Sequence, residues 1–248
     1  MKRLLFLFPH PDDESFACGG TLAKYHAAGS ETYLVSATSG CKGKPGPFSL
    51  SCREELARHR EQELQAAAAI LGITRLIFLR YPDGSLAGQD TEELVSRIAE
   101  TIRELQPHTV VTFPPDGVTG HPDHIALSHA TYRAVLKIEQ ERSSGGCELD
   151  LYYVSIPHYY DHCPDKGPKP ALPITGKVDI SAYRQKKGEA LQAHRSQVYS
   201  VNRAYPGVMD GDFGVIGCYE YYTLVRSKGQ EIEFTSGGNG NGIPLIEL

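Results

Sequence analysis

Strand-length apolar runs alternate along this chain with longer stretches of helical periodicity, and that alternation limits the fold more than any other feature. The apolar runs are Arg3–Phe8, Thr32–Ala37, Arg75–Leu79, Thr109–Phe113 and Leu149–Ile156. Between them lie Gly20–Ala28, Glu54–Leu71, Glu92–Leu105 and Ile125–Glu139, with apolar residues at helical spacing. Strands separated by helices in this way predict βαβ units, hence an α/β fold with a doubly wound, mostly parallel sheet covered by helices on both faces. Open sheets of this kind bind ligands beyond the carboxyl ends of their strands, where the winding reverses. The turns after the first, third and fourth strands then face a common crevice if the reversal falls between the first strand and the fourth.

The first and fourth of those turns carry the chemistry. Pro9-His10-Pro11-Asp12-Asp13-Glu14 follows the first strand, and His121-Pro122-Asp123-His124 lies far downstream, after the fourth. A catalytic zinc ion takes three protein ligands from imidazoles, carboxylates or thiolates and keeps one position open. His10 and Asp13 can supply two ligands from one turn, and one histidine of the second segment can supply the third. Adjacent side chains on a tight turn diverge, so Asp12 is left over as a carboxylate beside the metal, the position of a general base. Read only structurally, the same aspartates cap helices, and Pro122 is well placed as the first residue of the helix that follows.

With 248 residues the chain fits one α/β domain, placed at residues 1–235, with a flexible tail rich in glycine and asparagine over 236–248. The pattern loosens from Pro157 to Gly176, then a helix is expected from about Ile180 to Ala193 and a last strand at Tyr219–Val225. Gly72 reads as the C-cap of the second helix. The stretch from Thr38 to Ser49, with Gly40, Gly43 and Gly46, has the composition of a mobile loop bordering the crevice. Residues 143–146 read as a surface loop.

Several functions are excluded at this level. The net charge is −5 and no segment concentrates lysine and arginine, so nucleic acid is not an expected partner. The apolar start is too short to export or anchor the chain, since it runs into Pro9 within the first strand. Six cysteines without any Cys-x-x-Cys spacing argue against a thiolate zinc site and against a disulfide framework, and fit the cytoplasm. Phosphate-loop, dinucleotide-binding and serine-elbow patterns are all missing from the sequence. His158, His162 and Cys163 form a further cluster of ligand chemistry without partners of clear spacing.

Together the two His-Pro-Asp segments resemble the zinc-dependent N-acetylglucosamine de-N-acetylases of the PIG-L/LmbE-like family. Further segments agree in order: Arg60-x-x-Glu63-Leu64 with Leu71-Gly72, then Tyr81-Pro82-Asp83-Gly84, then Ala190-Leu191-x-x-His194-x-Ser196-Gln197. The resemblance implies a Rossmann-like single domain and one Zn²⁺ per chain held by His10, Asp13 and His124. It further implies Asp12 as general base, and His121 as a protonated imidazole oriented by Asp123. Arg60 and Asp83 match positions that hold the sugar, and Glu14 would orient the motif. His194 either lines the pocket or packs in the core.

The activity so implied is hydrolysis of an N-acetylated amino sugar or its conjugate, giving acetate and a free amine, with a homo-oligomer as the expected assembly. One position departs from the family pattern. Where some members place an oxyanion-stabilising tyrosine two residues before His121, this chain has Thr119, and Tyr81 is a candidate substitute. Two rival readings stand beside the deacetylase: an amidase acting on a larger acyl conjugate, and a metal-dependent sugar-binding protein without turnover. A carboxylate that is not a ligand separates the last from an enzyme, because binding alone has no use for Asp12.

Overall fold

The computed structural model describes residues 1–89, 91–142, 149–157, 172–234 and 243–248. Its frame is an eight-stranded sheet in the order β3-β2-β1-β4-β5-β7-β6, with β8 paired to β7. The strands are β1 (Arg3–Phe8), β2 (Glu31–Thr38), β3 (Arg75–Tyr81), β4 (Thr109–Thr112), β5 (Asp150–Ser155), β6 (Gly176–Asp179), β7 (Tyr219–Ser227) and β8 (Gln230–Glu231). The first five are mutually parallel, whereas β7 runs antiparallel to β5 and to β6.

β1 occupies the centre because it is apolar on both sides. Leu4, Phe6 and Phe8 point into one core and Leu5 and Leu7 into the other, as the two-residue period of a strand requires. All five are at most 1 % exposed, so each side chain contributes roughly 1.5–3 kcal/mol of burial. The helices are α1 (Asp13–Ala27), α2 (Arg53–Leu71), α3 (Thr91–Leu105), the short turn α4 (Gly117–Gly120), α5 (Pro122–Arg142), α6 (Arg184–Ala193) and α7 (Val198–Ala204). Residues of α1, α2 and α6 share the core with Leu4, Phe6 and Phe8, and those of α3 and α5 share the other. β2 and β4 flank β1 on opposite sides, so the winding reverses between β1 and β4 as expected.

Pro122 is the first residue of its helix, and Gly72 ends α2 in the left-handed conformation, φ 73°. Ile73 N–H closes the cap onto the Ala68 carbonyl at 2.9 Å. Other boundaries differ from expectation. α1 starts at Asp13, well before Gly20, and is broken at Cys18, whose φ of −148° is not helical. The break frees the amides of Gly20 and Thr21, and the Glu220 carboxylate from β7 accepts from both, at 3.0 and 2.7 Å. Lys187 of α6, 3 % exposed, completes the arrangement 2.7 Å from Glu220. Gly20 is obligatory there, because a Cβ would lie 2.6 Å from the Ile180 side chain.

Two strands escape the sequence pattern, β6 and β8, since neither Gly-Lys-Val-Asp nor Gln-Glu carries an apolar run. The expected helix Ile180–Ala193 divides into a 3₁₀ turn, Ser181–Tyr183, and α6. Of the anticipated tail, 236–242 lies outside the described residues, whereas 243–248 packs onto the fold. Ile246 N–H donates to the Lys177 carbonyl, and Leu248, 2 % exposed, donates its N–H to the Tyr25 hydroxyl at 2.6 Å. The loop at 143–146 and the cluster His158, His162 and Cys163 also fall outside the described residues. Among the described residues, no helix is long and apolar enough to cross a membrane.

Candidate active site

Three strand ends build the crevice, and each delivers a segment that carries site chemistry. From β1 the chain turns through Pro9–Asp12 directly into α1. Asp12 takes φ 114° and ψ −30°, a left-handed conformation that costs a residue with a Cβ about 1–3 kcal/mol. Hydrogen bonds over-determine it. Asp12 N–H donates to Glu14 Oε2 at 3.1 Å, and the Asp12 carbonyl accepts from Ser15 and Phe16 at 3.0 and 3.1 Å. Glu14 is itself held by His194, whose Nε2 lies 2.8 Å from Glu14 Oε1 with both residues buried. His194 is therefore a packed histidine that supports the motif from beneath.

The twist sends the neighbouring carboxylates in different directions. Asp13 Oδ2 lies 3.4 Å from His10 Nδ1, and Asp13 Oδ1 lies 3.6 Å from His124 Nε2. One donor atom from each of His10, Asp13 and His124 falls within 4.8 Å of the others. The Asp12 carboxylate takes a different partner, its Oδ2 lying 3.3 Å from Arg60 Nη2. The donor set is two imidazoles and a carboxylate without a thiolate, which suits a divalent cation of intermediate hardness. His124 is held in one orientation. Its ring stacks on Phe113 at 4.2 Å, Nδ1 lies 3.1 Å from the Gly117 carbonyl, and burial pushes its pKa down to about 4, so at neutral pH Nε2 presents a lone pair.

Charge around the crevice is concentrated in the same way. Burial disfavours the charged form of His10, but the carboxylates of Asp123, Asp13 and Asp83 outweigh it and hold the imidazole well above its ordinary pKa. Burial also raises Asp13, and His124 and His10 more than offset the effect, leaving that carboxyl below its usual range. So much negative charge around one imidazole is an environment that a bound cation would neutralise. Asp12 differs from Asp13: burial raises its pKa to about 6, with Arg60 opposing the rise.

The second segment differs in one respect from what the resemblance implies. His121 sits beside His10, ring centroids 4.8 Å apart, and the Asp123 carboxylate acts on it through charge, not through a hydrogen bond. The backbone N–H of Asp123 donates to His121 Nδ1 at 3.1 Å. An accepting Nδ1 makes His121 a neutral imidazole with its proton on Nε2, and burial together with His10 lowers its pKa. The Asp123 carboxylate accepts instead from Gly84 N–H at 2.7 Å and Leu86 N–H at 3.0 Å, with His10 Nε2 at 3.3 Å. Thr119 serves the loop, accepting from His121 N–H at 3.3 Å. Tyr81 is no substitute oxyanion donor, because its hydroxyl is bound to Glu93 of α3 at 3.1 Å.

Arg60 and Asp83 reach the crevice but are heavily engaged by the protein. Arg60, 4 % exposed, donates to the carbonyls of Gly40 and Pro11 besides facing Asp12. Asp83 Oδ1 lies 3.2 Å from His10 Nε2, and Oδ2 accepts from Lys42 N–H at 2.5 Å. The Thr38–Ser49 loop thus closes over both. Gly40, at φ 66°, is needed there, because a Cβ would meet Arg60 Nη1 at 2.2 Å. Sequence pattern misses the amides of Gly84 and Leu86 as the seat of Asp123; the aspartate-glycine turn after β3 is the one signal of it. Lys44, Ser196, Gln197, Tyr199, Ser200 and Arg203 line a separate cavity of about 390 Å³ that contains neither Asp12 nor the clustered imidazoles.

Known proteins share both the motifs and the frame that presents them. The family profile described as GlcNAc-PI de-N-acetylase, PIG-L, matches residues 5–135, more than half of the chain and both His-Pro-Asp segments. This chain belongs to the PIG-L family. It is 32 % identical to a 1D-myo-inositol 2-acetamido-2-deoxy-α-D-glucopyranoside deacetylase from Thermobifida fusca, over 91 % of this chain and 93 % of that protein. Two solved structures share the fold. N,N′-diacetylchitobiose deacetylase from Pyrococcus horikoshii superposes with a TM-score of 0.65, at 22 % identity, over 92 % of this chain and 84 % of that one. The 4-carboxy-2-hydroxymuconate hydratase from Pseudomonas putida gives 0.66, at 19 % identity, over 96 % and 99 %. A fold shared by a deacetylase and a hydratase leaves chemistry to be argued from the site.

Proposed function

We propose that this PIG-L family member is a zinc-dependent hydrolase that removes the N-acetyl group from an N-acetylglucosamine-containing small molecule or conjugate. Water and the amide give acetate and a free amino sugar. The observation that carries the reading is Asp12, a half-buried carboxylate next in the chain to Asp13 of the His10, Asp13 and His124 cluster but paired with Arg60 instead of joining it. Those three residues would hold a Zn²⁺ ion, which would supply Lewis acidity to an amide carbonyl and to a water molecule. Asp12 takes the proton from the attacking water and returns it to the departing amine. Burial holds that carboxyl up at about 6 in the metal-free protein, so it is ionised at neutral pH. The Nε2–H of His121, fixed by the hydrogen bond at Nδ1, donates to the carbonyl oxygen as it gains charge.

The acetamido-sugar substrate class follows that of the Thermobifida fusca relative, and the free thiols of Cys18, Cys41, Cys52 and Cys218 are compatible with the cytoplasm. The test is to incubate the zinc-loaded protein with a panel of N-acetylated amino sugars and matched longer-acyl amides, quantifying acetate and primary amine together. Equimolar release from acetamido sugars is expected. A zinc-replete protein that binds these sugars and releases neither product is a binding protein, and preference for the longer acyl group marks an amidase.

Arg60 gives a second prediction. Its cation opposes the upward shift of Asp12, so Arg60→Met lets burial push that pKa higher. A general base works only when ionised, and activity is lost as pH falls through its pKa. The acid limb of kcat/KM should therefore move to higher pH in the variant, with KM also raised if the guanidinium holds the sugar. A raised KM with an unmoved limb would leave Arg60 with the sugar alone.

A further inference from the structure

The Asp123 carboxylate is wholly buried, and its hydrogen bonds go to residues other than His121. It is seated by the amides of Gly84 and Leu86, in the turn after β3, and reaches His10 Nε2 at 3.3 Å. The Asp83 carboxylate approaches the same nitrogen at 3.2 Å, held by Lys42 N–H. Two carboxylates at Nε2 keep a proton there, and a proton on Nε2 leaves the lone pair of a neutral imidazole on Nδ1. That is the nitrogen facing Asp13 and the cluster. His124 is set the opposite way, with Nδ1 committed to the Gly117 carbonyl and Nε2 facing Asp13.

We infer that Asp123 is a positioning residue for His10 rather than for His121, and that the two histidines grip the metal through different nitrogens, His10 by Nδ1 and His124 by Nε2. The inference rests on the ligand set of the proposed function. It gives the turn after β3 a purpose that needs no sugar contact: through the Gly84 and Leu86 amides it aims Asp123, and through Asp83 it adds a second acceptor. Outer carboxylates of this kind fix the tautomer of a ligand imidazole and raise its basicity. Their loss weakens metal affinity as well as rate, whereas a residue that served only His121 would alter rate alone.

Zinc affinity is the readout, measured by competition of each purified protein against a chromogenic chelator. Asp123→Asn should weaken zinc binding about 10–100-fold, while His121→Ala should bind zinc as the wild type does. An unchanged zinc affinity in Asp123→Asn, with turnover alone reduced, would return Asp123 to His121 and overturn the inference. Should that variant fail to fold, the wild-type zinc protein decides the matter through long-range ¹H–¹⁵N spectra of its histidine side chains. His10 is expected with a proton on Nε2 and metal on Nδ1, and the reverse arrangement refutes the proposal. Full zinc binding by His124→Ala would instead defeat the ligand set itself, an outcome distinct from either.

Discussion

Asp12→Asn is expected to lower turnover by about 10²–10⁴-fold, the usual worth of a positioned general base, while zinc content stays at the wild-type level. Asparagine is the replacement of choice because Asp12 sits at φ 114°. Asparagine tolerates positive φ better than alanine does, and its side chain keeps an oxygen for Arg60, so the Pro9–Asp13 turn and the direction of Asp13 are preserved. What is lost is the ability to take a proton. Steady-state turnover paired with elemental analysis of the same preparation makes the measurement. Near-normal turnover would remove Asp12 as base, and a parallel loss of zinc would show that it helps to hold the metal. Burial raises the Asp12 pKa in the metal-free protein, and zinc loading should lower it, because a nearby cation favours the carboxylate; NMR titration of that carboxyl with and without zinc reads the shift.

His124→Ala is expected to release the metal. The variant removes one of three clustered donors, so zinc affinity should fall by more than the roughly 10–100-fold that an outer hydrogen-bonding partner contributes. The imidazole also stacks on Phe113 and bonds to the Gly117 carbonyl, so its loss leaves a gap beneath the α4 turn. Thermal unfolding of the metal-free forms separates the two effects. A modest drop in the apo midpoint together with collapse of zinc stoichiometry supports ligation. Zinc retained at one equivalent per chain would break the assignment, whatever happened to activity. Gly117 and Val118 at φ 66° and 60° show how tightly this turn is wound, and a β-branched residue at positive φ persists only where its surroundings dictate it.

The two variants divide the site along the line that Asp12 and Asp13 themselves draw. They are adjacent in sequence, yet the proposed function gives one to proton transfer and the other to the cation. Glu14 and His194 maintain that separation, because the Glu14 carboxylate holds the Asp12 amide in the twisted turn and is in turn held by a histidine brought from the end of α6.

Periodicity and punctuation make the frame legible in the amino-acid sequence alone. Apolar runs specify β1 to β5 and β7, helical spacing specifies α2, α3 and α5, and Pro122 and Gly72 mark boundaries where a ring or a missing Cβ has one favourable place. The convergence of His10, Asp13 and His124 follows from the same pattern, since strand order puts the ends of β1 and β4 side by side. Local pattern is enough for these because each depends on backbone conformation or on the sign of a side chain's hydropathy. It does not reveal β6, a short strand defined by its partner β7, nor the break at Cys18, which exists because Glu220 from β7 accepts the amides that the break frees. Nor does it assign the Asp123 carboxylate to His10 instead of His121. That choice is made by two backbone amides after β3, and hydrogen-bond partners between distant segments are set by register and loop path, which composition and spacing do not encode.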